Sequence, residues 1–133
     1  MSNILIIGAN RGLGLEFAKQ YSELGHHIFA TTRDKSKSDQ LVATANTTVF
    51  ELDLNKDKSI DSFIDEMSSI KIDILIHNSG IFRDEQLSED LEIDAWMNEM
   101  RINAITPIIV ARKLKPNVLA GEDKKIILSL VHI

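Results

Sequence analysis

Ile4-Leu5-Ile6-Ile7-Gly8-Ala9-Asn10-Arg11-Gly12-Leu13-Gly14 stands near the start of the chain, and its reading decides the fold. The first four residues form a short, unbroken apolar run, the pattern of a strand covered on both faces. The run passes directly into glycines spaced G-x-x-x-G-x-G. Beyond them Leu13, Phe17, Ala18, Tyr21 and Leu24 fall on one face of a helix that Gly25 stops. Glycine at such points permits a tight turn, lets a pyrophosphate approach the backbone and lets strand and helix pack closely. The helix N-terminus then offers free N–H groups and a partial positive charge to phosphate. The competing reading is a glycine-rich turn that binds nothing. Strand, loop and helix in this order favour a dinucleotide site.

Working outward, further apolar runs at 28–32, 49–52, 72–76 and 126–130 read as strands. Ile60, Phe63, Ile64 and Met67 recur at i, i+3, i+4, i+7 and predict an amphipathic helix between the third and fourth strands. Leu41 to Ala45 predicts a short, weak helix in the polar connection after strand two. Residues 91–114 predict a long helix with Trp96, Met97, Met100 and Ala104 on a face, kinked or ended by Pro107. Pro116 and Gly121 mark the way out to the last strand. Strands and helices alternate throughout, which predicts an α/β fold: a Rossmann-like, doubly wound parallel sheet of about five strands in the order 3-2-1-4-5, over a single domain spanning 1–133. Ligands of such sheets bind at the carboxyl ends of the strands, and each motif described below follows a strand.

Composition narrows the functional classes. The chain has 133 residues, 15 basic and 20 acidic side chains, a net charge of −5 and no cysteine. Disulfides and thiolate metal sites are excluded. The absence of a basic block argues against nucleic-acid partners and an anionic membrane surface, and no apolar run is long enough to span a bilayer. A cytoplasmic location is the expectation, since residues 1–7 lack the pattern of a signal peptide. His26, His27, His77 and His132 show no metal-ligand spacing, so no metal site is expected and all four read as surface or supporting residues. Asp84-Glu85 and Glu89-Asp90 read as a solvated loop.

Gly8-Ala9-Asn10-Arg11-Gly12-Leu13-Gly14 closely resembles the cofactor loop of the short-chain dehydrogenase/reductase family, with Ile7 where the family usually carries Thr. Asp53-Leu54, after strand three, is similar to the family's adenine-contacting Asp element. His77-Asn78-Ser79-Gly80 is similar to its Asn-Asn-Ala-Gly element, with His77 and Ser79 as substitutions. Asn103, in Arg101-Ile102-Asn103-Ala104, falls where the family's long helix carries a structural and catalytic Asn. The resemblance runs over essentially the whole chain. It implies cofactor contacts by Gly8, Asn10, Arg11, Gly12, Leu13, Gly14, Asp53, Leu54, Asn78, Ser79 and Gly80.

Cofactor choice turns on the end of strand two. An acid there would bind the adenosine ribose 2′-OH and repel a 2′-phosphate, and a cation does the reverse. In the family's spacing the acidic slot falls on neutral Thr32, followed by Arg33, with Arg11 in the glycine loop. NADP(H) is therefore the expected cofactor. NAD(H) stays possible, because Asp34 lies at a distance from the loop where acids of NAD-type sites occur.

The resemblance also implies a Ser after strand five and a Tyr-x-x-x-Lys helix, the Tyr exchanging the proton and the Lys lowering its pKa. The 133 residues contain one tyrosine, Tyr21, on the first helix, and no Tyr-x-x-x-Lys. Counted from Asn103, Ser129 occupies the serine position, whereas counted from Lys125-Ile126-Ile127 that position falls on Leu130-Val131. Asn103 and Ser129 are the candidate catalytic residues. A full member of the family would add two strands and their helices after Ile133, so the ending reads as a truncation. It would leave strand five an open edge and Ile102, Ile105, Ile109 and Val110 partly wet. Three readings follow: an NADP(H)-dependent oxidoreductase of a small carbonyl/alcohol pair that is inactive as this chain alone, an NADP(H)-binding module, or a truncated gene product without function. The 91–114 helix is a possible surface for homo-oligomers.

Overall fold

The computed structural model describes residues 1–81 and 92–129. The acidic pairs Asp84-Glu85 and Glu89-Asp90, the first residue of the expected 91–114 helix, Leu130-Val131 and His132 lie outside these residues. Five strands, β1 (Asn3–Ile7), β2 (His27–Thr32), β3 (Thr47–Glu51), β4 (Ile74–His77) and β5 (Lys125–Leu128), form one wholly parallel sheet in the order β3-β2-β1-β4-β5. This is the Rossmann-like arrangement that the alternating pattern predicts.

Side-chain alternation divides the core. Leu5, Ile7, Phe29 and Leu75 point to one face, where they meet Ile60 and Phe63 of α3 (Asp57–Glu66), Val110 of α5 (Thr106–Lys113) and Val118 of α6 (Lys115–Ala120). Ile4, Ile6, Ile28, Ala30 and Ile76 point to the other, against Leu15 and Ala18 of α1 (Gly12–Glu23) and Leu41 of α2 (Asp39–Val42). Phe63 is fully enclosed, and truncating a side chain so placed typically costs about 3–5 kcal/mol.

Several local expectations are corrected. α1 buries Gly14, Leu15, Ala18 and Ser22, while Leu24, at its end, is exposed. Of the expected stripe, Ala18 is buried and Phe17 and Tyr21 pack half-buried against the core, whereas Leu13 lines the cleft at the carboxyl ends of the strands. α2 begins one half-turn earlier than Leu41. β4 begins at Ile74 rather than 72, since the Ile72 N–H is taken by the Asn117 carbonyl at 3.0 Å. The long helix is interrupted: α4 (Ile93–Met100) gives way to a wider π turn over Arg101–Ile105 before α5. Pro107 has no N–H to return to the Asn103 carbonyl and its ring needs room there, which the wider turn provides. Ala95, Ile102, Thr106, Val110 and Leu114 face inward, and the Trp96, Met97, Met100 and Ala104 face points outward. Ile102 and Val110 are thus buried rather than wet, whereas Ile105 is half exposed. All four residues of β5 are exposed. Among the described residues, no helix is long and apolar enough to cross a membrane.

Candidate functional site

The carboxyl ends of β1 to β4 open into a cleft of about 560 Å³. Its floor is the turn from β1 into α1. Gly8 has a φ of +81°, and its N–H donates to the Thr31 hydroxyl at 3.0 Å, while the Ala9 N–H donates to the Thr31 carbonyl at 2.9 Å. A Cβ on Gly8 would come within 2.9 Å of the Ser79 backbone, and one on Gly14 would be driven into the Gly8 carbonyl and the Asn78 amide. The two glycines therefore permit β1, α1 and the segment after β4 to converge. Asn78 closes the junction, its N–H on the Ile7 carbonyl at 2.9 Å and its Nδ2 on the Gly8 carbonyl at 3.4 Å. Its buried Oδ1 has no hydrogen-bond partner among the described residues. At the head of α1, Arg11 occupies the cap position without a side-chain cap and no acid lies in the first turn, so the terminal N–H groups are left for a ligand.

The side wall comes from the end of β2. Thr32 is buried, its hydroxyl 2.8 Å from that of Ser38, and Arg33 follows at the cleft surface. Arg11, Arg33 and Lys37 all line the cleft, and among the described residues none of the three forms an ion pair or side-chain hydrogen bond. Asp34 lines it too, with Oδ1 accepting from the Ser36 N–H at 2.9 Å and the Ser36 hydroxyl at 2.5 Å. Those bonds, the hydroxyl's first, hold its carboxyl below the usual range. Asp53 takes the Asn55 N–H at 3.0 Å and stands 3.8 Å from Lys56. The Leu54 carbonyl accepts from Arg101 Nε at 3.0 Å, and that guanidinium also meets Asp57 at 2.7 Å, which lowers the Asp57 pKa.

Gly8, Asn10, Arg11, Gly12, Leu13, Arg33, Asp53, Leu54, Asn78, Ser79 and Gly80 thus come together on one surface, with Gly14 directly behind it. Asn103 lies apart: its amide is spent on the Ile81 backbone, accepting from the N–H at 2.8 Å and donating to the carbonyl at 2.6 Å. Ser129 follows β5, its N–H on the His77 carbonyl at 2.8 Å, and does not line the cleft. His77 corrects the surface reading of the histidines. It is 1% exposed, neither ring nitrogen has a partner among the described residues, and burial pushes its pKa down to about 4. His26 and His27 are half-buried, the first accepting the Ser2 N–H at 3.1 Å. Sequence reasoning passed over Thr31 and Lys37. Only their distance from the glycines and from the strand end could have marked them.

A glycine floor, open helix N–H groups, an amide oxygen unpartnered among the described residues and three cations at the cleft wall fit a phosphate-rich dinucleotide. Among the described residues, no group of three or more His, Cys, Asp or Glu side chains could hold a metal ion.

Comparison with known proteins points the same way. The family described as short chain dehydrogenase matches residues 2–129. The chain is 33% identical to the Aspergillus sclerotiorum short chain dehydrogenase resG over 85% of its own length and 33% of that protein. It is 30% identical to an uncharacterized oxidoreductase of Schizosaccharomyces pombe over 92% of its length and 51% of that protein. Among solved structures, a carbonyl reductase from Pseudomonas aeruginosa PAO1 in complex with NADP superposes with a TM-score of 0.80 at 30% identity, over 88% of this chain and 56% of that one. The chain therefore spans between a third and about half the length of these proteins.

Proposed function

The chain belongs to the short-chain dehydrogenase/reductase family, and from that premise we propose that its cleft binds NADP(H) in preference to NAD(H), as part of an oxidoreductase acting on a carbonyl/alcohol pair. The observation that carries the preference is the pair of guanidinium groups, Arg11 and Arg33, that line one cleft with neutral Thr32 and have no ion-pair or hydrogen-bond partner among the described residues. Two cations there stabilise a 2′-phosphate through charge-assisted hydrogen bonds. The NADP in the carbonyl reductase complex agrees with this reading.

The residues divide the work. Backbone N–H groups of Gly12 and Leu13, with the α1 dipole, hold the pyrophosphate. Asp53 and Leu54 contact the adenine. Asn78, Ser79 and Gly80 border the path toward the nicotinamide, and Asn103 positions that segment through Ile81. The nicotinamide, when bound, supplies or accepts the hydride. Proton transfer needs a donor such as the family's Tyr, and the 133 residues offer only Tyr21, half-buried beside Phe17 and His26. This chain by itself therefore binds nucleotide without reducing carbonyls, which is also the binding-module reading. Ser129 remains the candidate serine. The exposed Ile93, Met97 and Met100 on α4 supply the surface for self-association.

Fluorescence titration with NADPH and NADH tests the proposal. NADPH binds more tightly, and Arg33→Asp weakens it selectively by about 1–3 kcal/mol. Equal affinity for both nucleotides in the parent chain would overturn the preference. NADPH-dependent carbonyl reduction that is lost on Gly12→Asp would overturn the assignment of inactivity.

A further inference from the structure

The acid at the end of β2 is the feature that conflicts with a 2′-phosphate. Asp34 lines the same cleft as Arg11 and Arg33, and a free carboxylate there would accept from a ribose 2′-OH and repel a phosphate. It is not free. One oxygen takes both the N–H and the hydroxyl of Ser36, at 2.9 and 2.5 Å, so the carboxylate caps the 3-10 turn Lys35–Lys37. The backbone is pinned as well: the Asp34 N–H reaches the Thr32 hydroxyl at 3.3 Å, and its carbonyl accepts the Ser38 hydroxyl at 2.7 Å. The Lys35 N–H donates to the Glu51 carboxylate at 3.2 Å, tying the turn to β3. A turn fastened at these points carries Lys37 to the cleft wall, near enough to Asp34 to act on its charge.

We propose that Ser36 determines cofactor specificity as a positioning residue: by engaging Asp34 it withholds the acid from the ribose and leaves Lys37 as a third cation for the 2′-phosphate. This rests on the NADP(H) reading and deepens it. Ser36 does not line the cleft, so its effect passes through Asp34. The Ser36 hydroxyl, at 2.5 Å, makes the shorter of the two bonds to Asp34 Oδ1.

The test is a binding cycle with NADPH and NADH on the parent chain, Ser36→Ala, Ser36→Thr, Asp34→Asn, the Asp34→Asn/Ser36→Ala double variant and Lys37→Ala. Loss of the hydroxyl lowers the NADPH-to-NADH affinity ratio about tenfold, and threonine retains it. In the Asp34→Asn background the same alanine substitution leaves the ratio unchanged, an outcome that general loosening of the turn would not give. Lys37→Ala weakens NADPH about three- to tenfold with NADH unaffected. A ratio indifferent to Ser36→Ala, alongside an intact Arg33→Asp effect, overturns the role of Ser36 and leaves the NADP(H) reading standing. A parent chain that binds both nucleotides equally overturns that reading itself.

Discussion

The Thr31 side chain, on β2, accepts the N–H of Gly8, on the turn after β1, at 3.0 Å. With the Ala9 N–H on the carbonyl of the same threonine, two successive amides of the glycine loop hang on one residue of the neighbouring strand. Thr31 is 2% exposed, so no water replaces its hydroxyl readily. Thr31→Val leaves the Gly8 N–H without an acceptor. It lowers stability by about 1–3 kcal/mol and weakens NADPH, while Thr31→Ser restores both. Urea melts and nucleotide titrations of the two variants read this out; a valine variant that binds as tightly as the parent would remove the loop-holding role.

Gly14 makes a second, steric prediction. Alanine normally stabilises a helix interior by roughly 0.5–1 kcal/mol over glycine. Here the added methyl meets the Gly8 carbonyl, so Gly14→Ala destabilises by about 1–3 kcal/mol through overpacking and disturbs the loop it displaces. The sign of the change in urea midpoint decides between the two.

His77 gives the chain a pH dependence. Its folded pKa, about 4, lies below the ordinary 6.5, so the unfolded chain takes up the proton first. Stability is full above about pH 6.5 and falls as pH drops toward 4, by up to about 3 kcal/mol. Asp57 and Asp73, whose pKa values are lowered by hydrogen bonds to Arg101 and to the backbone of Glu122, lose their contributions only below the ordinary carboxylate value of 3.8. His77→Asn should flatten the stability profile between pH 4 and 6.5. Parallel profiles for parent and variant would show that the ring is protonated freely.

On the proposed function, the described cleft holds the adenosine and pyrophosphate end of the nucleotide. 2′,5′-ADP should therefore raise the melting temperature of this chain nearly as much as NADPH does, by linkage of binding to folding. Strong protection by NADPH with none from 2′,5′-ADP would mean that the nicotinamide end dominates binding.

Local features were the legible ones. The run from Ile4 to Gly14 announces strand, turn and helix because each residue acts through its own backbone, and the parallel sheet follows from the alternation of short apolar runs and helices. The residues that escaped act through distant neighbours. Thr31 matters only once β2 lies beside β1, and Ser36 only once Asp34 has turned onto it. Leu15 is buried and Leu24 exposed because α1 ends at Glu23, leaving Leu24 as its cap, and because which face of the helix meets the sheet is set by the β1–α1 turn rather than by periodicity. His77 looks like a polar residue in a polar motif. Its burial follows from pairing with Ile7 on one side and Leu128 on the other.

The position of β1 at the heart of the sheet has a consequence during synthesis. β1 precedes both of its neighbours in the chain, and β2, which fills one of its edges, ends at Thr32. Its other edge waits for β4, which ends at His77. At a translation rate of roughly 5–20 residues per second, that delay is on the order of several seconds. Throughout it, the backbone amides and carbonyls of β1 that β4 later takes stand open on the nascent chain, beside the apolar side chains of Ile4 to Ile7. Until β4 arrives, that edge is a template on which another extended chain can pair.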